Sequence, residues 1–288
     1  MTTSITAMPA PATETALIDG ARIEFRRQGS GDRTAVILHG GHMSANCRFG
    51  EESFLEAGCS VLAVSRPGYG RTDPRAGPSA PEFVVRLAAL CASLRITDVT
   101  AVGISLGARS ALTLAAYAPS LVQDVILICP TSFRPWPDPR TRRVAVGAFN
   151  PLVERLTWGG VHALLRRDPG RYLPRLVADL STLPGDEVVR RLGADRQRVV
   201  EFLLSCRSGS GFMIDLRPPT DVTDRVRQPV LVLGSRNDGS VTWEHPARLA
   251  ATLPRAQLTE VPTPSHLLWL GEGADQTAVA IRRFLGSG

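Results

Sequence analysis

The stretch Val102-Gly103-Ile104-Ser105-Leu106-Gly107-Ala108 closes one apolar run and opens another. Before it, Asp98-Val-Thr-Ala-Val102 is β-branched and apolar, the composition of a buried parallel strand. After it, residues 108–118 are rich in alanine and leucine and strongly helix-forming. Gly103-x-Ser105-x-Gly107 between them has the form of a nucleophile elbow, a strand turning sharply into a helix with the serine at its apex. A serine on so tight a turn holds a strained backbone conformation, and side chains two residues to either side are expected to collide with it. The two glycines remove those side chains, and Gly107 also lets the helix pack close to its strand. As a bare pattern G-x-S-x-G is weak, because glycine and serine also build ordinary turns. Strand, glycines and helix in the required order favour the catalytic reading over the structural one.

Outward from the elbow the chain alternates strands and helices. Upstream, Thr34–Leu38 reads as a buried strand ending in the glycine-rich loop His39-Gly40-Gly41-His42-Met43. A short helix over 49–57 and a strand over Ser60–Val64 follow, and then a turn-dense loop, Arg66 to Asp73. Ser79-Ala-Pro-Glu82 forms a capping box for a helix with Phe83, Leu87, Leu90, Cys91 and Leu94 on one face. Near the start, Thr13–Asp19 and Ala21–Arg27 flank Asp19-Gly20 as a hairpin, and residues 1–12 are expected to be disordered. Downstream of the elbow, Asp124–Cys129 is another buried strand.

From residue 131 to 228 the pattern changes to helical segments over Val144–Arg166, Leu173–Leu180 and Glu187–Ser205, with no convincing strand. After Pro229 the alternation resumes: strand Val230–Leu233, helix Trp243–Leu253, strand Gln257–Val261, helix Ala274–Leu285. The predicted architecture is α/β, with a mostly parallel twisted sheet flanked by helices. Its core covers residues 13–130 and 229–288. Residues 131–228 are inserted as a helical cap.

Charge follows the same boundary. All 33 basic residues are arginines, and the formal net charge is +6. Residues 131–228 carry 17 of those arginines but only 11 of the 27 acids, so the whole excess sits on the insertion. No arginine run exceeds two residues and no aromatics interleave with the pairs, so nucleic-acid binding is not expected. No apolar run approaches the ~18 residues of a bilayer span, and the first residues lack a signal peptide's pattern. The five cysteines are scattered without metal-ligand spacing, which predicts neither a disulfide framework nor a zinc site. A cytoplasmic protein without a membrane partner is expected, with a small-molecule substrate and a homodimer as the assembly left open. Cys206, beside Arg207, has the setting of a lowered-pKa thiol, a reading outweighed by ordinary core packing.

A serine hydroxyl needs a base, and the base needs an orienting acid. His266, in Pro262-Thr-Pro-Ser-His266, lies just past the last strand, at the sheet edge where sites gather. Asp238 follows the strand Val230–Leu233 and falls at the same edge. Asp221 and Asp224 precede that strand and are poorly placed. His162 and His245 lie within helical segments, and His39 is read as structural, its hydrogen bonds holding the glycine loop. His42, on that loop, is a candidate substrate contact. An oxyanion hole needs two convergent donors: the Leu106 amide, at the start of the elbow helix, and the Gly41 amide, preferred over that of His42.

These pieces resemble the α/β-hydrolase-fold serine hydrolases that carry a helical lid, over roughly residues 15 to 288. The resemblance rests on His39-Gly40-Gly41, Gly68-Tyr-Gly-Arg-Thr-Asp73, Gly103-Ile-Ser105-Leu-Gly107, Asp238 and His266, in the chain order Ser, Asp, His. It implies an oxyanion loop, a turn lining the pocket, a nucleophile elbow, a triad acid and a triad base in turn. Ser105 at the elbow argues against the dehalogenase and epoxide-hydrolase branches, which carry aspartate there. Ser265 departs from the glycine that often precedes the catalytic histidine. The resemblance implies no metal or organic cofactor, and hydrolysis of an ester, thioester or similar acyl bond. C–C bond hydrolysis, and acyl transfer or cyclisation, remain alternatives on the same triad. A binding or receptor protein is disfavoured because it has no need of all three groups. In the insertion, Arg134, Arg207 and Arg217 are the arginines expected nearest the cleft, with Arg134 a candidate substrate contact. Solvation of exposed helix faces is the preferred account of the insertion's charge, over attraction of an anionic substrate such as a carboxylate or a phosphate-bearing thioester carrier.

Overall fold

The computed structural model describes residues 12–48 and 50–286. The expected disorder of residues 1–12 therefore lies, apart from Ala12, outside the described residues.

Eight strands form one sheet: β1 (Glu14–Ile18), β2 (Ala21–Gln28), β3 (Thr34–Leu38), β4 (Ser60–Val64), β5 (Val99–Ile104), β6 (Val122–Ile128), β7 (Val230–Gly234) and β8 (Ala256–Glu260). Their order is β1-β2-β4-β3-β5-β6-β7-β8. β1 and β2 form the antiparallel hairpin set up by Asp19-Gly20, with Ile18 opposite Ala21. β2 joins β4 antiparallel, and every later pairing is parallel.

The central strands are buried on both faces and alternate between two cores. Ala35, Ile37, Val102 and Ile104 face one core, lined by α1 (Glu52–Glu56) and α11 (Asp275–Leu285). Val36, Leu38, Val99 and Ala101 face the other, under α2 (Ala80–Ser93), α3 (Gly107–Tyr117) and α10 (Glu244–Thr252). The capping box of α2 is present, with the Glu82 carboxylate accepting the Ser79 amide at 3.0 Å.

Between β6 and β7 the chain runs through six helices: α4 (Pro139–Phe149), α5 (Glu154–Arg167), α6 (Pro169–Val177), α7 (Gly185–Leu192), α8 (Arg196–Ser205) and α9 (Gly211–Asp215). The single helix expected over 144–166 is two helices. Pro151 cannot continue α4, and Asn150 closes it by donating its side-chain amide to Val146 O and Gly147 O. α4 also starts earlier than expected, because Asp138 caps it through the amides of Arg140 and Thr141 and Pro139 occupies its first position. Leu165, Leu173, Val177, Val188, Val199 and Leu203 of this block belong to the same core as the first sheet face, so the block is continuous with the body. It is hydrogen-bonded to the loops at the carboxyl ends of β3, β4, β7 and β8.

Candidate active site

Ser105 leaves β5 with φ 52°, in the left-handed region where a side chain is strained. The turn is over-determined. The Ser105 amide donates to Ile128 O at 2.9 Å, and its carbonyl accepts from the amides of Ala108 and Thr131, both at 3.1 Å. The glycines act differently from expectation. A Cβ on Gly103 would lie 2.5 Å from Ala108 Cα, and one on Gly107 would lie 1.9 Å from Leu38 O. They clear the first turn of α3 and the end of β3 rather than the serine itself. Gly40 is the glycine that lies against Ser105, since its Cβ would approach Ser105 Cβ to 3.0 Å.

Asp238 and His266 meet at the carboxyl edge of the sheet, with His266 Nδ1 at 2.6 Å from Asp238 Oδ2. Asp238 is buried, and its other oxygen accepts the amides of Ser240 (2.9 Å) and Val241 (2.7 Å). Burial by itself lowers the His266 pKa, but the Asp238 charge and hydrogen bond overcome it and hold the imidazole well above its ordinary value. Cys129, just past the end of β6 with φ 43°, lies beside the His266 ring and adds to the upward shift of its pKa. Among the described residues no hydrogen bond joins Ser105 Oγ to the ring. Such bonds often tighten only when substrate is bound.

The helical block grips both loops through residues 180–182. Leu180 O accepts the His266 amide at 2.8 Å, the Thr182 amide donates to Asn237 O at 2.9 Å, and Ser181 Oγ donates to Pro264 O at 2.6 Å. Gly239 is required here, because its Cβ would fall 2.5 Å from the Ser181 carbonyl carbon.

On the opposite side, the amides of Leu106 and Gly41 have no acceptor among the described residues. A Cβ on Gly41 would lie 3.1 Å from Leu106 Cδ1 and 3.4 Å from Phe212 Cδ2, so both side chains pack against the Gly41 backbone. Two donors left open beside a serine suit an oxyanion. The glycine loop is not held by the His39 ring, as the sequence suggested. Neither ring nitrogen of His39 has a hydrogen-bond partner, and burial, with the charges of Arg26 and Arg66, pushes its pKa down to about 3. Arg66 holds the loop instead, donating Nε to His39 O (2.8 Å) and Nη2 to Gly40 O (3.0 Å). Its guanidinium also pairs with Asp215 at the end of α9, which accepts the Tyr69 hydroxyl at 2.6 Å.

The chain has now placed a strained serine, an Asp–His pair and two open amides at one edge of an eight-stranded sheet. The family model described as "Alpha/beta hydrolase family" matches residues 35–280. The chain belongs to the alpha/beta hydrolase family. It is 30% identical to the uncharacterized hydrolase YcgS of Bacillus subtilis (strain 168), over 95% of this chain and 98% of that one. It is 27% identical to a 2-hydroxy-6-oxononadienedioate/2-hydroxy-6-oxononatrienedioate hydrolase of Cupriavidus pinatubonensis, over 82% of this chain and 81% of that one. An alpha/beta hydrolase fold protein from Nakamurella multipartita superposes with TM-score 0.81 at 22% identity, covering 96% of this chain and all of that one. As an alpha/beta hydrolase, this protein is a hydrolytic enzyme acting on small molecules. No helix among its described residues is long and apolar enough to cross a membrane.

The remaining candidates divide. His42 packs its ring against Phe212 (4.2 Å between centroids) and Phe149 (4.5 Å) and bonds Ser208 Oγ through Nδ1 at 2.7 Å. Burial pushes its pKa down to about 4, so this hydrolase carries it neutral, tying the oxyanion loop to the helical block. Arg134 and Arg207 have exposed side chains, and their described hydrogen bonds run through the main chain. Cys206 is buried, and burial raises its thiol pKa well above the ordinary value, which removes the reactive-thiol reading. Sequence reasoning missed Arg66, Asp215, Ser181 and Arg109. Only Arg66, at the head of the turn-dense loop, and Arg109, one helical turn beyond Ser105, stood next to a recognised motif.

Proposed function

We propose that Ser105, His266 and Asp238 are the catalytic triad of this hydrolase, and that residues 131–228 act as its cap. Ser105 Oγ attacks the carbonyl of an ester, thioester or related acyl bond, and His266 Nε2 takes its proton. Asp238 fixes the imidazole with Nδ1 protonated, and the amides of Leu106 and Gly41 receive the oxyanion. The proton then passes to the leaving group, and water releases the acid from the acyl-enzyme. The observation that carries this reading is the 2.6 Å Asp238–His266 pair beside a serine at positive φ. Five free, buried cysteines support a cytoplasmic setting.

A panel of 4-nitrophenyl acyl esters tests it. The wild type hydrolyses them, and Ser105→Ala costs on the order of 10³-fold or more in kcat. Unchanged turnover in that variant would remove Ser105 from the mechanism. A second reading, C–C bond hydrolysis on the same triad, is favoured by the name of the Cupriavidus relative. A vinylogous diketone in the same panel separates the two: cleavage faster than that of the esters selects it.

A further inference from the structure

Beside the elbow the fold leaves a cavity of about 280 Å³, near the lower end of the range for ligand pockets. Leu106, Arg109 and Ser110 form one wall, and Arg66, Asp215 and Arg217 another. Three arginines and one aspartate therefore line it, and Asp215 is already engaged by Arg66 and by the Tyr69 hydroxyl. Ser105, Gly41 and His266 do not line this cavity. Leu106 is the residue it shares with the oxyanion hole.

Arg109 is the anomaly. It is 7% exposed, donates Nε to Ser132 O and Nη2 to Arg134 O at 2.9 Å each, and meets no carboxylate at ion-pair distance among the described residues. A guanidinium has five donors and a fixed charge, and two carbonyls neutralise none of that charge. Burial depresses its pKa to about 10, with Asp215 opposing and Arg66 reinforcing the shift. A buried cation without a counter-ion is costly, and a planar fork is matched by a carboxylate.

The helical block is tied down elsewhere. Residues 180–182 fasten it to the β7 and β8 loops, and the His42–Ser208 bond and the Arg207 amide on His42 O fasten it to the β3 loop. On the cavity side a bond from Arg217 Nη1 to Pro78 O, at 3.0 Å, spans to the start of α2, and Arg217 is exposed.

We propose that this cavity is a subsite for a carboxylate carried by the substrate, received by Arg109 and Arg217 next to the oxyanion hole. The proposal rests on the reading of Ser105 as nucleophile and adds the substrate class: an acyl compound bearing a second, ionised acid on a short chain. It also relocates the charge that matters. The recognition elements are Arg109, buried on the elbow helix, and Arg217 near the end of the cap, rather than the arginines on the cap's exposed helix faces.

Two esters differing in one end group test it: mono-4-nitrophenyl glutarate, with a terminal carboxylate, and 4-nitrophenyl valerate, with a methyl group there. The wild type is expected to favour the glutarate ester in kcat/KM by on the order of 10-fold or more, the scale of a charge-assisted pair. Arg109→Met should bring that ratio close to one, and Arg109→Lys should retain part of it. Free glutarate should also compete with valerate hydrolysis in the wild type, a measurement that stands if Arg109→Met fails to fold. Turnover of valerate with no preference for the acid and no competition by glutarate would overturn the subsite and leave the hydrolase reading intact. Failure of both esters together with no fluorophosphonate adduct on Ser105 would overturn the hydrolase reading, and the subsite with it.

Discussion

His266 carries the sharpest pH consequence at the scale of single residues. Asp238 holds its imidazole well above the ordinary value against the opposing pull of burial. A general base works only when neutral, so kcat/KM for a 4-nitrophenyl ester should fall as pH drops, with its midpoint above 6.5, the ordinary histidine value. Stability runs the opposite way with pH. The pair's contribution is fully present below the unfolded pKa of histidine and is lost as pH rises through the folded one. Asp238→Asn removes the larger of the two influences that oppose burial, the other being Cys129, so the midpoint should move down while turnover falls by roughly 10²–10⁴-fold. A midpoint that stays in place would show that Asp238 does not set the base. Ser105, Asp238 and His266 were legible in the sequence because each sits next to a strand end, and strand ends can be read from local composition. Arg66 and Asp215 were not, since their pairing spans 149 residues and depends on α9 reaching the turn after β4.

At the scale of elements, β3, β4 and the elbow strand were readable almost residue for residue, because burial on both faces forces continuous apolar runs, and the hairpin was readable from its Asp19-Gly20 turn. The helical block was readable only as helical. Its breaks depend on caps such as Asp138 and Asn150, and its docking depends on single hydrogen bonds from residues 180–182. No local pattern marks Ser181, yet its hydroxyl links the block to Pro264, two residues before His266. Ser181→Ala removes that bond and leaves Pro264 O unpaired. The expected result is a kcat lower by about 10-fold for ~1.4 kcal/mol, with KM little changed and the pH midpoint shifted towards that of Asp238→Asn. Loss of stability with kcat and midpoint unchanged would reduce Ser181 to a packing role.

Across the whole molecule, the two halves do different work. The parallel sheet delivers Ser105, Asp238 and His266 to one edge, as its topology requires of loops at strand carboxyl ends. The helical block closes over that edge and holds the loops still: Ser208 on His42, Leu180 on His266, Asp215 on Arg66. Composition announced the block's excess charge but not its use. Several of its arginines are balanced at the surface by Glu187, Asp195 and Glu52, whereas Arg109, buried without an ion-pair partner among the described residues, belongs to the elbow helix. All of this organisation converges on one oxygen atom, Ser105 Oγ. The most direct measurement is a peptide map after reaction with a serine-directed fluorophosphonate. A single adduct on the peptide containing Ser105 is expected, absent in Ser105→Ala and formed far more slowly in His266→Ala. An adduct on any other serine, or one that persists in Ser105→Ala, would contradict the account.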